Sequence, residues 1–206
     1  MRALVGLPVL FALLGAGGGC VPALRQPPAL QDPGGPATPA KAEAGYREAL
    51  RLYESREQDQ VRRAGAILRE AVGVLNEPAD ALVTLAELLV WLVEHEEDPD
   101  VREDLATRAV HAGQWCLEAA PGDPRCPYRL AIAVGVQARE LPGTGMDAMP
   151  TMIELLGAAR NADPGQDHGG PDRVLALVYL RAPGWPTGPG DPDLGYEFAL
   201  KAAGID

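Results

Sequence analysis

The sequence predicts an all-α fold, and three observations lead to it. Aromatic residues make up only 5% of the 206-residue chain, and no segment alternates Val, Ile and Thr with polar residues as a half-buried strand would. Breakers built from Pro, Gly, Asn and Asp recur at roughly helix-length intervals: Asn76-Glu77-Pro78, Asp98-Pro99-Asp100, Pro121 to Pro124, Pro142 to Gly145, Asp163-Pro164-Gly165 and Gly184 to Pro192. Between them the chain falls into helix-length segments, and in every second one a triplet of mostly small residues recurs at a spacing of four then three.

Residues 1–19 read as an export signal, with Arg2, an apolar run from Leu4 to Leu14, and then small residues. The run falls short of the roughly 20 apolar residues that a spanning helix needs. Gly15 to Gly19 followed by Cys20 resembles the lipobox of bacterial lipoproteins, although Gly17 stands where that motif usually has Leu. The resemblance implies that Cys20 becomes the lipid-bearing first residue of the mature chain; ordinary secretion with an unmodified Cys20 is the other reading. Val21 in place of Asp implies sorting to the periplasmic face of the outer membrane. Residues 20–39, rich in Pro, Gly, Ala and Gln, are expected to form a flexible, disordered tether. Residues 40–206 then make one domain, large enough for a real core.

Within it, helices are expected near 40–56, 59–75, 79–97, 100–120, 125–141, 147–162, 171–182 and 192–203, as four hairpins. The second helix of each pair carries a triplet spaced four then three: Ala64-Leu68-Ala71, Ala112-Cys116-Ala119, Met152-Leu156-Ala159 and Gly195-Ala199-Ala202. Pro124 and Pro164 follow two of them after five residues. This pattern resembles the tetratricopeptide repeat, in which small residues let paired helices pack closely. The spacing from triplet to triplet lies in the forties, longer than that repeat's unit, so the expected fold is a tetratricopeptide-like α-solenoid. Ala81 to Val93 and Val174 to Leu180 are apolar almost all round, which predicts central core helices, with an apolar pocket wall or an oligomer interface as the alternative.

Charge and motifs then exclude classes of function. Removing the signal takes away only Arg2, leaving 17 basic residues against 29 acidic ones, a net charge of −12. That balance argues against nucleic acid and against a polybasic membrane patch. His95, His111 and His168 are scattered, with no two at a metal-binding offset. Asp98-Pro99-Asp100 and Asp163 to Asp167 lack the ligand pattern of a calcium loop. No nucleophile elbow or phosphate loop occurs, and Ser55 is the one serine. Gly169-Gly170-Pro171 at a helix start, near His168 and Arg173, admits an anion site or a tight packing motif, and Asp172 in the first turn opposes the anion. The sequence therefore predicts a protein with no catalytic residues, metal or cofactor. Cys116 and Cys126 would be free to bridge in an exported chain, or to remain two small buried residues.

A further resemblance covers roughly residues 106–202. Tyr128-Arg129-Leu130-Ala131, Leu141 to Gly145, Ala159 to Pro164, Gly169-Gly170-Pro171 with Arg173 and Leu175, and Tyr179 to Pro186 are similar to the T-component family associated with TRAP transporters. The resemblance implies a periplasmic, tetratricopeptide-like lipoprotein without enzymatic activity. It would bind a TRAP solute-binding protein as partner, form a homotrimer, accept a hydrophobic small ligand, and meet the membrane through its lipid anchor. A scaffold for envelope or outer-membrane assembly is the alternative expectation.

Overall fold

The structure is a computed structural model, in which residues 22–30 and 38–204 are described. The described residues form eight α-helices and no strand. They are α1 (Pro39–Glu54), α2 (Gln58–Val72), α3 (Ala79–His95), α4 (Pro99–Ala119), α5 (Arg125–Glu140), α6 (Gly145–Ala162), α7 (Gly170–Arg181) and α8 (Pro192–Ala203), with a 3₁₀ turn at Pro142–Thr144. Each helix starts and ends within three residues of the range the sequence predicts.

Three of the starts share one chemistry. Thr38, Asp98 and Asp191 cap α1, α4 and α8, and each is followed by a proline. The Asp98 Oδ1 accepts from the Asp100 N–H at 2.9 Å, and the Asp191 Oδ1 from the Leu194 N–H at 3.0 Å. Proline lacks the N–H that a first turn would leave unpaired, and the side-chain oxygen satisfies another. Pro-flanked acidic and Thr residues therefore mark helix starts well in this chain.

Consecutive helices pack as hairpins, α1 on α2, α3 on α4, α5 on α6 and α7 on α8. α4 also packs on α5, and α3 reaches both α5 and α1, so the first helices of the first three hairpins share a layer. The last hairpin joins the rest chiefly through α7 on α6. At the centre stands α3, in which Ala81, Leu82, Leu85, Ala86, Leu88, Leu89, Leu92 and Val93 are buried. A helix apolar on nearly every side is stable only when neighbours cover it on nearly every side. Its Glu87 still finds partners, accepting from the Tyr53 hydroxyl at 3.2 Å and pairing with Arg129 at 3.0 Å.

The small-residue triplets face inward with one clear exception, Ala119 at the end of α4, which is exposed. A close backbone crossing comes from a residue outside them: a Cβ on Gly113 would lie 2.9 Å from the Leu130 Cα, where α4 meets α5. At the same junction Cys116 and Cys126 are joined by a disulfide, fully buried, with Cα atoms 5.3 Å apart. A bridge closing so short a loop contributes about 3 kcal/mol by restricting the unfolded chain.

The structure differs from the sequence expectation at two places. Residues 22–30, expected to belong to a flexible tether, run along α4 and reach α6. Ala23 is buried and donates its N–H to the Asp147 Oδ2 at 2.9 Å, while Gln114 Nε2 and Trp115 Nε1 donate to the Arg25 and Pro28 carbonyls, each at 2.9 Å. A proline-rich segment leaves carbonyls unpaired, and side chains about 90 residues away supply the donors that composition does not reveal. Second, α7 is not enclosed: Leu177 and Leu180 are 48% and 49% exposed. Neighbouring helices cover Leu175 and Ala176, and nothing among the described residues covers the other face. Cys20, the predicted signal and residues 31–37 lie outside the described residues.

Candidate binding surface

The way α7 begins determines what it presents. Asp167, His168 and Gly169, the last three residues of the 163–169 connection, take φ angles of 50°, 53° and 71° and turn the chain into α7. Gly169 adopts that conformation without strain, and it also lies on α8, since a Cβ there would be 3.2 Å from the Ala202 Cα. Gly170 is tighter still. Its Cβ would fall 2.3 Å from the Tyr128 hydroxyl, a place where only hydrogen fits. That hydroxyl donates to the Asp167 Oδ2 at 2.6 Å, and burial, reinforced by this acceptor, pushes the phenol pKa well above its ordinary value.

Gly170 therefore has no space beside it for an anion, and its N–H is already donated to the Gln166 carbonyl at 2.9 Å. The motif works as a packing device. Asp172, buried in the first turn of α7, pairs through Oδ1 with the Arg160 Nε of α6. The Arg160 guanidinium in turn lies 5.7 Å from the centre of the Phe198 ring on α8. One buried carboxylate thus ties three helices together.

α7 and α8 then approach closely enough that a Cβ on Gly195 would lie 2.7 Å from the Leu180 Cγ. Tyr179 and Phe198 stack with centroids 5.7 Å apart. Along the open margin of this pair runs a groove of about 440 Å³, lined by Ala176, Leu177 and Leu180 of α7 and Ala199, Ala202 and Ala203 of α8. Arg173 stands at its edge, held by the His168 carbonyl and by Asp167. Leu200 and Tyr196 on α8 and Trp185 in the preceding loop are also exposed. Apolar walls with one charged group at the rim can bury apolar side chains and orient them against a single cation, but they offer no nucleophile and no base.

The other residues singled out by sequence have local roles. His95 stacks on Trp91 with centroids 3.7 Å apart and bonds its carbonyl through Nδ1. His111 lies on α4, where burial lowers its pKa against the opposing pull of Asp104. His168 sits in the α6–α7 turn. The Asp163 Oδ1 accepts the Gly165 N–H at 3.1 Å and closes a turn. Among the described residues no group of three or more His, Cys, Asp or Glu side chains is placed to hold a metal, and no helix is long and apolar enough to cross a membrane. Sequence reasoning missed the pairs Arg160–Asp172 and Tyr128–Asp167. It named no ligand-binding residue, although the missing polar face of Val174 to Leu180 was the available signal.

Fold and surface together define an all-α protein of paired helices with an open apolar face on its last hairpin. No protein-family model matches the chain, and neither does any curated protein.

Proposed function

We propose that the protein is an exported, lipid-anchored adaptor without catalytic activity, which docks a second periplasmic protein on the open face of α7 and α8. The observation behind this reading is the half-exposed Leu177 and Leu180, which with Ala199, Ala202 and Ala203 of α8 line the open groove. Single surface leucines are ordinary, whereas an apolar strip shared by two helices is a feature of contact surfaces. The groove is open along its length. A small-molecule site encloses most of its ligand, so this surface suits the apolar side chains of a protein better than a free hydrophobic ligand. Similarity to the T-component family makes a TRAP solute-binding protein the partner of choice. The buried Cys116–Cys126 bridge fits export, since such bonds persist in oxidising compartments.

The test is affinity capture from a periplasmic extract with the wild-type chain and with a Leu177→Asp/Leu180→Asp double variant. Wild type should retain a solute-binding protein, and the variant should lose it by at least about tenfold in affinity, the effect of removing a contact hot spot. Circular dichroism should show both chains folded at the temperature of capture, a check needed because the Leu180 side chain also packs on Gly195 of α8. Equal retention by the two would rule out this face. Recovery of envelope-assembly proteins instead would transfer the adaptor role to that process.

A further inference from the structure

We infer that Cys20 seats the domain directly against the bilayer, with the turn between α5 and α6 facing the lipid, rather than holding it away on a spacer. This rests on the lipid anchoring of Cys20 proposed above. Chain length supplies the first reason. Ala23 is only 1% exposed and donates its N–H to Asp147, in the first turn of α6. Only Val21 and Pro22 separate it from Cys20. Three residues fully extended span about 11 Å at most, a reach comparable with the roughly 5–8 Å depth of one headgroup layer. The length that composition assigns to a tether lies beyond Ala23, and its first part is held to α4 by Gln114 and Trp115.

The surface at that point supplies the second reason. Met146, beside Asp147 in sequence, is 63% exposed, and Pro142 and Gly143 of the 3₁₀ turn are exposed next to it. The carboxylates nearest the attachment point are engaged, Asp147 by the Ala23 N–H and Glu140 by Arg102 at 2.8 Å and Arg139 at 2.7 Å, whereas Glu97, Asp98 and Asp100 of the adjacent α3–α4 turn, whose Glu97 carbonyl Arg102 also binds at 2.9 Å, are exposed. Met146, Pro142 and Gly143 can therefore meet the headgroups beside the anchor, while the exposed carboxylates of the α3–α4 turn oppose anionic lipid, so the length of the linker is what sets the seating.

A site-specific quenching experiment tests the seating. The full chain, made with its own signal, carries Met146→Cys or, as a control, Gly165→Cys just beyond the far end of α6. α6 has 18 residues and so a length of about 27 Å. A Cβ on Gly165 meets nothing closer than 3.6 Å, so the control should fold. Cys116 and Cys126 are bonded and buried, and an acylated Cys20 has no free thiol, so a fluorophore labels the new cysteine alone. In vesicles of phosphatidylethanolamine and phosphatidylglycerol, brominated lipids should quench the probe at position 146 several-fold more than the probe at 165. Inserting twenty Gly and Ser residues between Val21 and Pro22 should abolish that difference while leaving the protein bound to the vesicles. Equal quenching at the two positions, in a chain shown by mass to be acylated, would overturn the seating and leave the anchor standing. Preferential quenching that survives the insertion would overturn the role of linker length. A mature chain whose mass lacks acyl groups would overturn the anchor itself, and the seating with it.

Discussion

The first three hairpins and the last one use similar helix starts and short connections, yet they are held together by different means. In α1 to α5, side chains such as Leu68, Leu82, Leu88 and Leu130 are fully buried around α3, and the Cys116–Cys126 bridge fixes one junction. In α7 and α8 the buried positions are small or special: Gly170, Pro171, Asp172, Leu175, Ala176, Gly195 and Ala202. There, close glycine contacts and one ion pair take the place of a leucine core. The contrast implies a division of labour, in which the larger block carries the stability and the last hairpin keeps its leucines free for contact.

The largest expected effect tests that division directly. Leu88→Ala should lower the unfolding free energy by about 3 kcal/mol, as expected for a fully buried leucine that leaves a cavity. Leu177→Ala, half exposed on α7, should change it by less than about 0.5 kcal/mol. Urea denaturation of the two variants beside wild type measures both. Losses of similar size would mean that α7 contributes to the core as fully as α3, and the division would fail.

A second substitution asks whether the regions unfold together. Gly170→Val puts a side chain where the Tyr128 hydroxyl lies, and overpacking of this kind costs about 2 kcal/mol. Hydrogen exchange should show faster opening of α7 and α8 with little change in α3, because the collision lies in the smaller cluster around Tyr128, Leu156 and Leu175. Faster exchange throughout would show one cooperative unit instead of two.

Much of the fold was legible because helix ends depend on local chemistry. Asp98-Pro99 and Asp191-Pro192 announce their helices through one side-chain oxygen and one missing N–H, both written within two residues. The burial of α3 was legible for a similar reason, since Leu82 to Val93 have no side to give to water. Val174 to Leu180 shows the limit of that inference. Its composition is nearly the same as that of α3, but burial depends on whether other helices arrive to cover it, and composition holds no record of neighbours. The same limit explains residues 22–30. Their contacts run from Ala23 to Asp147 and from Pro28 to Trp115, and no periodicity links positions so far apart. Gly113 escaped notice because one glycine inside a helix looks alike whether it faces solvent or the backbone of Leu130.

The smallest expected effect concerns charge in the larger block. Arg102, with Arg139 beside it, holds the Glu140 carboxyl below the ordinary Glu value of 4.5, joining α4 to the end of α5. A carboxyl whose pKa falls on folding contributes stability in its ionised form, so the contribution is complete above about pH 5.5 and fades as acid protonates the folded chain. Glu140→Gln keeps the shape and removes the charge. The stability difference between wild type and this variant should be at most about 1 kcal/mol near neutral pH and should close as the pH falls through the lowered pKa. Urea curves recorded from pH 7 to pH 3 measure it. A difference that showed no decline between pH 5.5 and pH 3 would mean that Glu140 acts by packing, and that charge does not help to hold α4 and α5 together. Because α7 and α8 take no part in the Glu140 pair, their amide exchange should be the same in both chains at every pH, which separates the two regions without disturbing the core of either.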